Sequence, residues 1–240
     1  MTRHRSTPLL WLAAALVAVP ALLAACTGDG VVPTIPPVSE GPSATPTPAA
    51  THPGPTYPPG CPTEQPAALA ADDVRTVTIK TDKGDIVIEV KGSLSPIATG
   101  NFVALAECGW YDGVVFHRVI PGFVIQGGDG QYGRSPNIDP RLVGTGGPPY
   151  TIQDEPVTAT YGRGTVAMAR TREPNSVGSQ FFIVTDDAAR ESLASANTYQ
   201  IIGTVTSGMD VVDQIVNAPR NQNDLPDDPV VMNDVTVTTP

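Results

Sequence analysis

Apolar and polar positions follow three different regimes along this chain. An unbroken apolar run covers Leu9–Leu23, behind Arg3, His4 and Arg5. A basic n-region before such a run is the pattern of an export signal. The run is short of the ~20 residues of a spanning helix. From Thr27 to about Pro66 no period exists: proline recurs at nearly every third position, with few aliphatic residues and almost no charge. Beyond Asp72 a strand-like alternation sets in. VRTVTIK (Val74–Lys80) and DIVIEV (Asp85–Val90) flank a turn holding Asp82 and Gly84, which predicts a hairpin. Ser95 and Pro96 open a helix as N-cap and first-turn residue, with Ala98, Phe102 and Leu105 on its buried face and Gly109 as its stop. VVFHRVI (Val114–Ile120), a Pro121-Gly122 turn and FVIQG (Phe123–Gly127) predict a second hairpin. Further strands are expected at Gly164–Ala169, Ser179–Val184, Tyr199–Val205 and Val230–Thr238. Met209, Val212, Ile215 and Val216 mark a second helix.

This order predicts a mainly β fold: a closed antiparallel barrel of about eight strands capped by two helices. The interior of a barrel that size is filled by side chains, so a site must lie on its outer face. The Gly/Pro-rich excursion from Gly130 to Arg163 is too long for a plain connection, and such loops are functional or tied down by their own packing.

Composition divides the chain into residues 1–25, a signal; 26–71, a Pro/Thr-rich tether; and 72–240, the domain. The tether lacks the apolar side chains to offset backbone ordering, so disorder with some polyproline II character is expected. The ending LAAC (Leu23–Cys26) resembles a bacterial lipoprotein signal, which implies a lipid on Cys26 and an exported chain anchored to the outer side of the cell membrane. A net charge of −10 and a pI near 4.6 argue against nucleic acid and against adhesion to anionic lipid. Contact with the membrane would then run through the lipid alone.

Besides Cys26 the chain has only Cys61 and Cys108, and in an exported protein two such thiols are expected to pair. His117 is the only histidine of the domain, which excludes a multi-histidine metal site and reads as a packed structural residue. The GGDG at Gly127–Gly130 has no following lysine, so it is not a phosphate loop. Asp154 and Glu155, adjacent in a loop, are expected to face solvent.

Two segments carry the chemistry. FHRVIPGFVIQGGDG (Phe116–Gly130) and NSVGSQFFIV (Asn175–Val184) place Arg118, Gln126 and Gln180 among Phe123 and Phe182. Both closely resemble the two signature segments of the cyclophilins, the peptidyl-prolyl cis-trans isomerases, and the resemblance extends over roughly Val74–Thr238. It implies a cofactor-free enzyme, a monomer, that turns X-Pro bonds in unfolded or flexible polypeptides. The obstacle to that turn is amide resonance, ~18–20 kcal/mol. Twisting localises a lone pair on the prolyl nitrogen, so a donor aimed there binds the twisted state better than the planar one. Arg118 is the candidate donor, always charged, with Phe116 two residues earlier on the same strand face.

By the resemblance Phe123, Val124, Phe182 and Leu193 hold the proline, with Ala169 on the rim. Gln126 and Gln180 hold substrate backbone, and Gln126 also orients Arg118. Arg170 contacts substrate through its backbone, at a position where many members carry asparagine. Many cyclophilins have a tryptophan just before the position of Leu193 and a histidine shortly before the IIG strand; here these are Ser192 and Tyr199. The rival class is a cyclophilin-fold module that binds proline peptides without catalysis. Retention of Arg118, Phe123, Gln126 and Phe182 favours the enzyme, because a pure binder could dispense with the arginine.

Overall fold

The computed structural model describes residues 57–240, so the signal, Cys26 and the tether up to residue 56 lie outside the described residues. Nine strands form one sheet: β1 Val74–Thr81, β2 Gly84–Lys91, β3 Val114–Ile120, β4 Val124–Gly127, β5 Thr165–Met168, β6 Phe181–Val184, β7 Ile201–Ser207, β8 Val231–Met232 and β9 Asp234–Thr238. Three helices accompany them: α1 Pro96–Glu107, α2 Ala189–Ala196 and α3 Met209–Val216. The strand order is β8-β3-β4-β6-β5-β7-β2-β1-β9, and every pairing is antiparallel. No helix among the described residues is long and apolar enough to cross a membrane.

The expected barrel is present with one strand and one helix more than the pattern predicted. The last expected strand divides at Asn233. Before it, Val231 and Met232 pair with β3; after it, β9 pairs with β1. The two edges of the sheet are therefore consecutive in sequence, and a single residue joins them. Asn233 donates its backbone N–H to the Lys80 carbonyl (2.8 Å) and its side-chain amide to Asp82 (2.7 Å), which fixes the crossing. The burial phase slips there, from Met232 to Val235, but the apolar run Val230–Met232 hides the slip in the sequence pattern. The added helix, α2, buries only Ala189 and Leu193, too few apolar positions to show a period.

The barrel interior takes alternate residues of the strands, such as Val77, Ile79, Ile86, Ile88 and Val90, all fully buried. Phe102 of α1 meets Phe181 edge-on with ring centroids 5.2 Å apart, and Val212 and Ile215 of α3 join the same cluster.

Helix α1 begins after Ser95, yet the serine hydroxyl makes no capping bond. The carboxylate of Glu155 takes that role from the long excursion, accepting the N–H groups of Ile97 and Ala98 at 2.9 Å each. An anion at a helix N-terminus satisfies two orphan donors and opposes the helix dipole. Asp154 pairs with Arg170 at 2.9 Å. The expectation that both carboxylates face solvent is thus wrong: unpaired N–H groups and a guanidinium lie within their reach.

The tether was expected to run to residue 71, but from Tyr57 onward the chain lies against the barrel. Tyr57 stacks on Trp110 (5.6 Å), Gln65 accepts the Gln153 N–H (3.1 Å), and Leu69 N–H donates to the Pro96 carbonyl (2.9 Å). A Cβ on Gly100 would sit 2.3 Å from the Ala67 carbonyl oxygen, so glycine permits this close approach. A disulfide joins Cys61 to Cys108 just past α1, with Cα atoms 5.1 Å apart. Composition reports only the shortage of apolar side chains in this segment; the covalent tie and the backbone bonds order it instead. With a sequence separation of 47 between the two cysteines, the bond should contribute up to about 4 kcal/mol by restricting the unfolded chain. A Cys61→Ser/Cys108→Ser variant should show that loss in its urea midpoint, and an unchanged midpoint would count against it.

Candidate active site

The site starts from an irregularity in β3. Phe116 pairs with Gly127, but Arg118 pairs with Gln126, so His117 is one residue extra between them. A bulge of this kind bends the strand and re-aims a side chain. Phe116 consequently enters the barrel, fully buried and edge-on to Phe181 (6.3 Å), while the Arg118 side chain stands on the outer face, 41% exposed. The expectation that spacing by two would put both on one face fails here, because that rule assumes an unbroken pleat. Phe116 belongs to the core and not to the site.

Beyond the bulge, alternation sorts the strands into two faces. Ile125, Phe181, Ile183, Val166 and Met168 point inward to the main core. Val124, Phe182, Val184, Ala167 and Ile201 form a second apolar cluster, covered by Ala189 and Leu193 of α2 and by Tyr161. Where that cover stops, the cluster opens into a recess of about 120 Å³. Its wall holds Phe123, Val124, Phe182 and Leu193, with Ala169 and Tyr199 at the edge and Arg118, Gln126 and Arg170 as polar members. At roughly four times the ~30 Å³ share of one water, it has room for one modest side chain. A wider recess of about 380 Å³ adjoins it, sharing Gln126, Ala169 and Arg170 and reaching Gly144–Pro148, Gly178 and Gln180. Together they make a groove that can take consecutive residues of an extended peptide.

Arg118 is held loosely. It donates to the Gln126 side-chain oxygen at 3.4 Å, and its Nε lies 3.9 Å from Asp224, both longer than a strong bond requires. Its donors therefore remain free to follow charge that develops in the recess. Gln126 in turn donates to the Gln180 side-chain oxygen at 2.9 Å.

Arg170 is different. Only 9% of its side chain is exposed, and its guanidinium is committed to Asp154 (2.9 Å) and to the carbonyls of Thr171 (3.1 Å) and Glu173 (2.7 Å). What it offers the groove is backbone and stem.

Tyr199 packs edge-on against Phe182 with centroids 5.3 Å apart. Tyr161 fixes it there: its hydroxyl donates to the Tyr199 carbonyl (2.9 Å) and accepts the Tyr199 N–H (3.2 Å). Burial pushes the Tyr161 phenol up to about 12, so it stays a donor at neutral pH. Sequence reasoning passed over Tyr161, whose only signal was a lone ring in a stretch otherwise poor in aromatics.

His117 is 4% exposed and lies beside Gly144. Burial, with the nearby Arg118 charge adding to it, lowers its pKa from 6.5 to about 4; Asp129 opposes the shift without cancelling it. The imidazole is neutral at pH 7 and serves as packing.

The family model for cyclophilin type peptidyl-prolyl cis-trans isomerase/CLD matches residues 76–237. A Brucella abortus protein described as a probable peptidyl-prolyl cis-trans isomerase is 41% identical over 158 residues, 65% of this chain and 79% of its own. Peptidyl-prolyl cis-trans isomerase B of Escherichia coli is 37% identical over 172 residues, 68% of this chain and 99% of its own. The crystal structure of a Cryptosporidium parvum cyclophilin type peptidyl-prolyl cis-trans isomerase superposes with a TM-score of 0.58 at 31% identity, covering 70% of this chain and 99% of that one. The same parasite protein has been solved in the presence of the dipeptide Ala-Pro, with a TM-score of 0.57. The chain belongs to the cyclophilin-type peptidyl-prolyl cis-trans isomerases.

The His117 shift sets a pH dependence. The folded value, about 4, lies below the ordinary 6.5, so the unfolded chain binds the proton more readily between them. Stability present above pH 6.5 should fall by up to roughly 3 kcal/mol as pH drops to 4. Urea midpoints at both pH values should show this, and His117→Gln should flatten that part of the slope.

Proposed function

We propose that this cyclophilin domain isomerises X-Pro bonds in unfolded or flexible polypeptides outside the cytoplasm, held to the outer side of the cell membrane by a lipid on Cys26. The observation that carries the catalytic part is Arg118, a permanently charged donor with slack hydrogen bonds, at the mouth of an apolar recess sized for one side chain. The relative solved with Ala-Pro supports a proline-containing peptide as the occupant.

The mechanism follows from the barrier. The recess of Phe123, Val124, Phe182 and Leu193 immobilises the proline ring and keeps water from it. The residue before proline then rotates in the open part of the groove. As the amide twists, the prolyl nitrogen regains its lone pair and accepts from Arg118, an interaction missing in the planar ground state. A charge-assisted bond of about 1.5–3 kcal/mol gives ten- to a hundredfold in rate, and desolvation and positioning supply the remainder.

The export part rests on the basic and apolar N-terminal pattern, the LAAC ending and the pairing of Cys61 with Cys108, a bond that belongs to oxidising compartments.

The soluble domain should accelerate a proline-limited refolding step that otherwise takes ~10–100 s. Arg118→Ala should remove about 90% or more of that acceleration while the circular dichroism spectrum stays unchanged. No acceleration by the wild type would leave a proline-peptide binding module, and full activity in the variant would leave a pocket working by desolvation alone. In cells, Cys26→Ser should move the protein from the membrane fraction to the soluble exported fraction. A variant still bound to membrane would refute the lipid anchor.

A further inference from the structure

Asp129 is fully buried, and its carboxylate accepts four backbone N–H groups: Gln131 (3.0 Å), Tyr132 (2.9 Å), Gly144 (2.7 Å) and Gly146 (3.0 Å). A Cβ on Gly146 would lie 2.4 Å from that carboxylate, so the returning loop presses directly on it. The same two glycines face the groove with their carbonyls, each accepting from the Gln180 side-chain amide at 2.9 Å.

Those carbonyls set a direction. A carbonyl only accepts, so Gln180 must turn its NH2 toward Gly144 and Gly146 and its oxygen toward Gln126. Gln126 must then donate to Gln180, which leaves its own oxygen for the Arg118 guanidinium. Arg118, Gln126 and Gln180 all donate the same way, and this chain ends on the carbonyls of loop residues whose N–H groups Asp129 holds in place. Bonds aligned in this manner polarise one another.

We propose that Asp129 is a positioning residue for isomerisation, acting on Arg118 through Gly144, Gly146, Gln180 and Gln126. This rests on Arg118 being the catalytic donor. With the carboxylate in place, the loop carbonyls hold both glutamines in the one orientation that presents an acceptor to Arg118. Asparagine cannot substitute, because all four partners of Asp129 are donors and one end of the amide would turn an NH2 against them.

The test is a double-mutant cycle on the folded domain, with the folded fraction measured by circular dichroism. Asp129→Asn in the wild-type background should lower kcat/KM for a proline peptide about tenfold, mostly through kcat. In the Arg118→Ala background it should change kcat/KM by less than about twofold, because the group it positions is gone. Equal factors in the two backgrounds would overturn the proposal and leave Asp129 a structural residue. Full activity in Arg118→Ala alone would overturn the reading of Arg118 as donor as well, so the two failures are distinct. Should Asp129→Asn not fold, Gly144→Ala replaces it in the same cycle: Gly144 has φ +93°, and an added Cβ comes 3.4 Å from the His117 ring. That variant disturbs the loop carbonyls directly, and the same non-additivity with Arg118→Ala is required of it.

Discussion

One unpaired residue in β3 determines where everything else in the site can stand. Were β3 a regular strand, Phe116 and Arg118 would share a face, and one of them would be misplaced. Either the barrel would bury a guanidinium, at a desolvation cost of several kcal/mol, or Phe116 would leave the core and its contact with Phe181. The bulge at His117 removes the conflict by shifting the register between Phe116 and Arg118. It also brings His117 into a buried position beside Gly144, where a charged ring would be costly and the neutral ring packs.

Catalysis of this kind requires a surface that is apolar yet not flat, next to a cation that is not fully satisfied. The barrel meets the first requirement by carrying a second apolar cluster on its outside, partly roofed by α2 and Tyr161. Complete coverage would make the cluster ordinary core. No coverage would leave an exposed greasy patch. The partial roof leaves a recess one side chain in size, with Phe182 held edge-on by a Tyr199 whose backbone Tyr161 grips at both its N–H and its carbonyl. The second requirement depends on contrast between two arginines. Arg170 spends its donors on Asp154 and two carbonyls and shapes the rim, whereas Arg118 keeps long, weak contacts.

The loops around this surface bury few apolar side chains, Ile152 and Tyr161 among them, and are tied down largely by carboxylates. Glu155 caps α1, Asp154 holds Arg170, and Asp129 gathers the glycine-rich excursion. A charge-assisted bond to backbone N–H groups orders a segment that has few side chains to bury. Glycines let the backbone come close enough to accept this control. Much of the acidity that gives the chain its net charge of −10 lies in solvent, but these three carboxylates act inside the fold.

Legible in the chain were the alternation of the strands, the two helices with apolar periodicity, and the order of elements that closes into a barrel. Family resemblance in the two signature segments was sufficient to name Arg118, Phe123, Gln126, Gln180 and Phe182, because those residues are read from a local string. The pairing of the two thiols was legible for a simple reason: besides Cys26, only Cys61 and Cys108 remained to pair. Relations between distant segments were settled only by folding. The bulge that separates Phe116 from Arg118 is a matter of register against β4, and a strand's own alternation carries no information about its partner. The change of partner at Asn233, the helix cap supplied by Glu155 from 58 residues away, and the packing of residues 57–71 on the barrel have the same character. Periodicity records how a segment buries its own side chains. Hydrogen bonds between an isolated carboxylate and someone else's backbone have no period, and they are made only once the chain has folded.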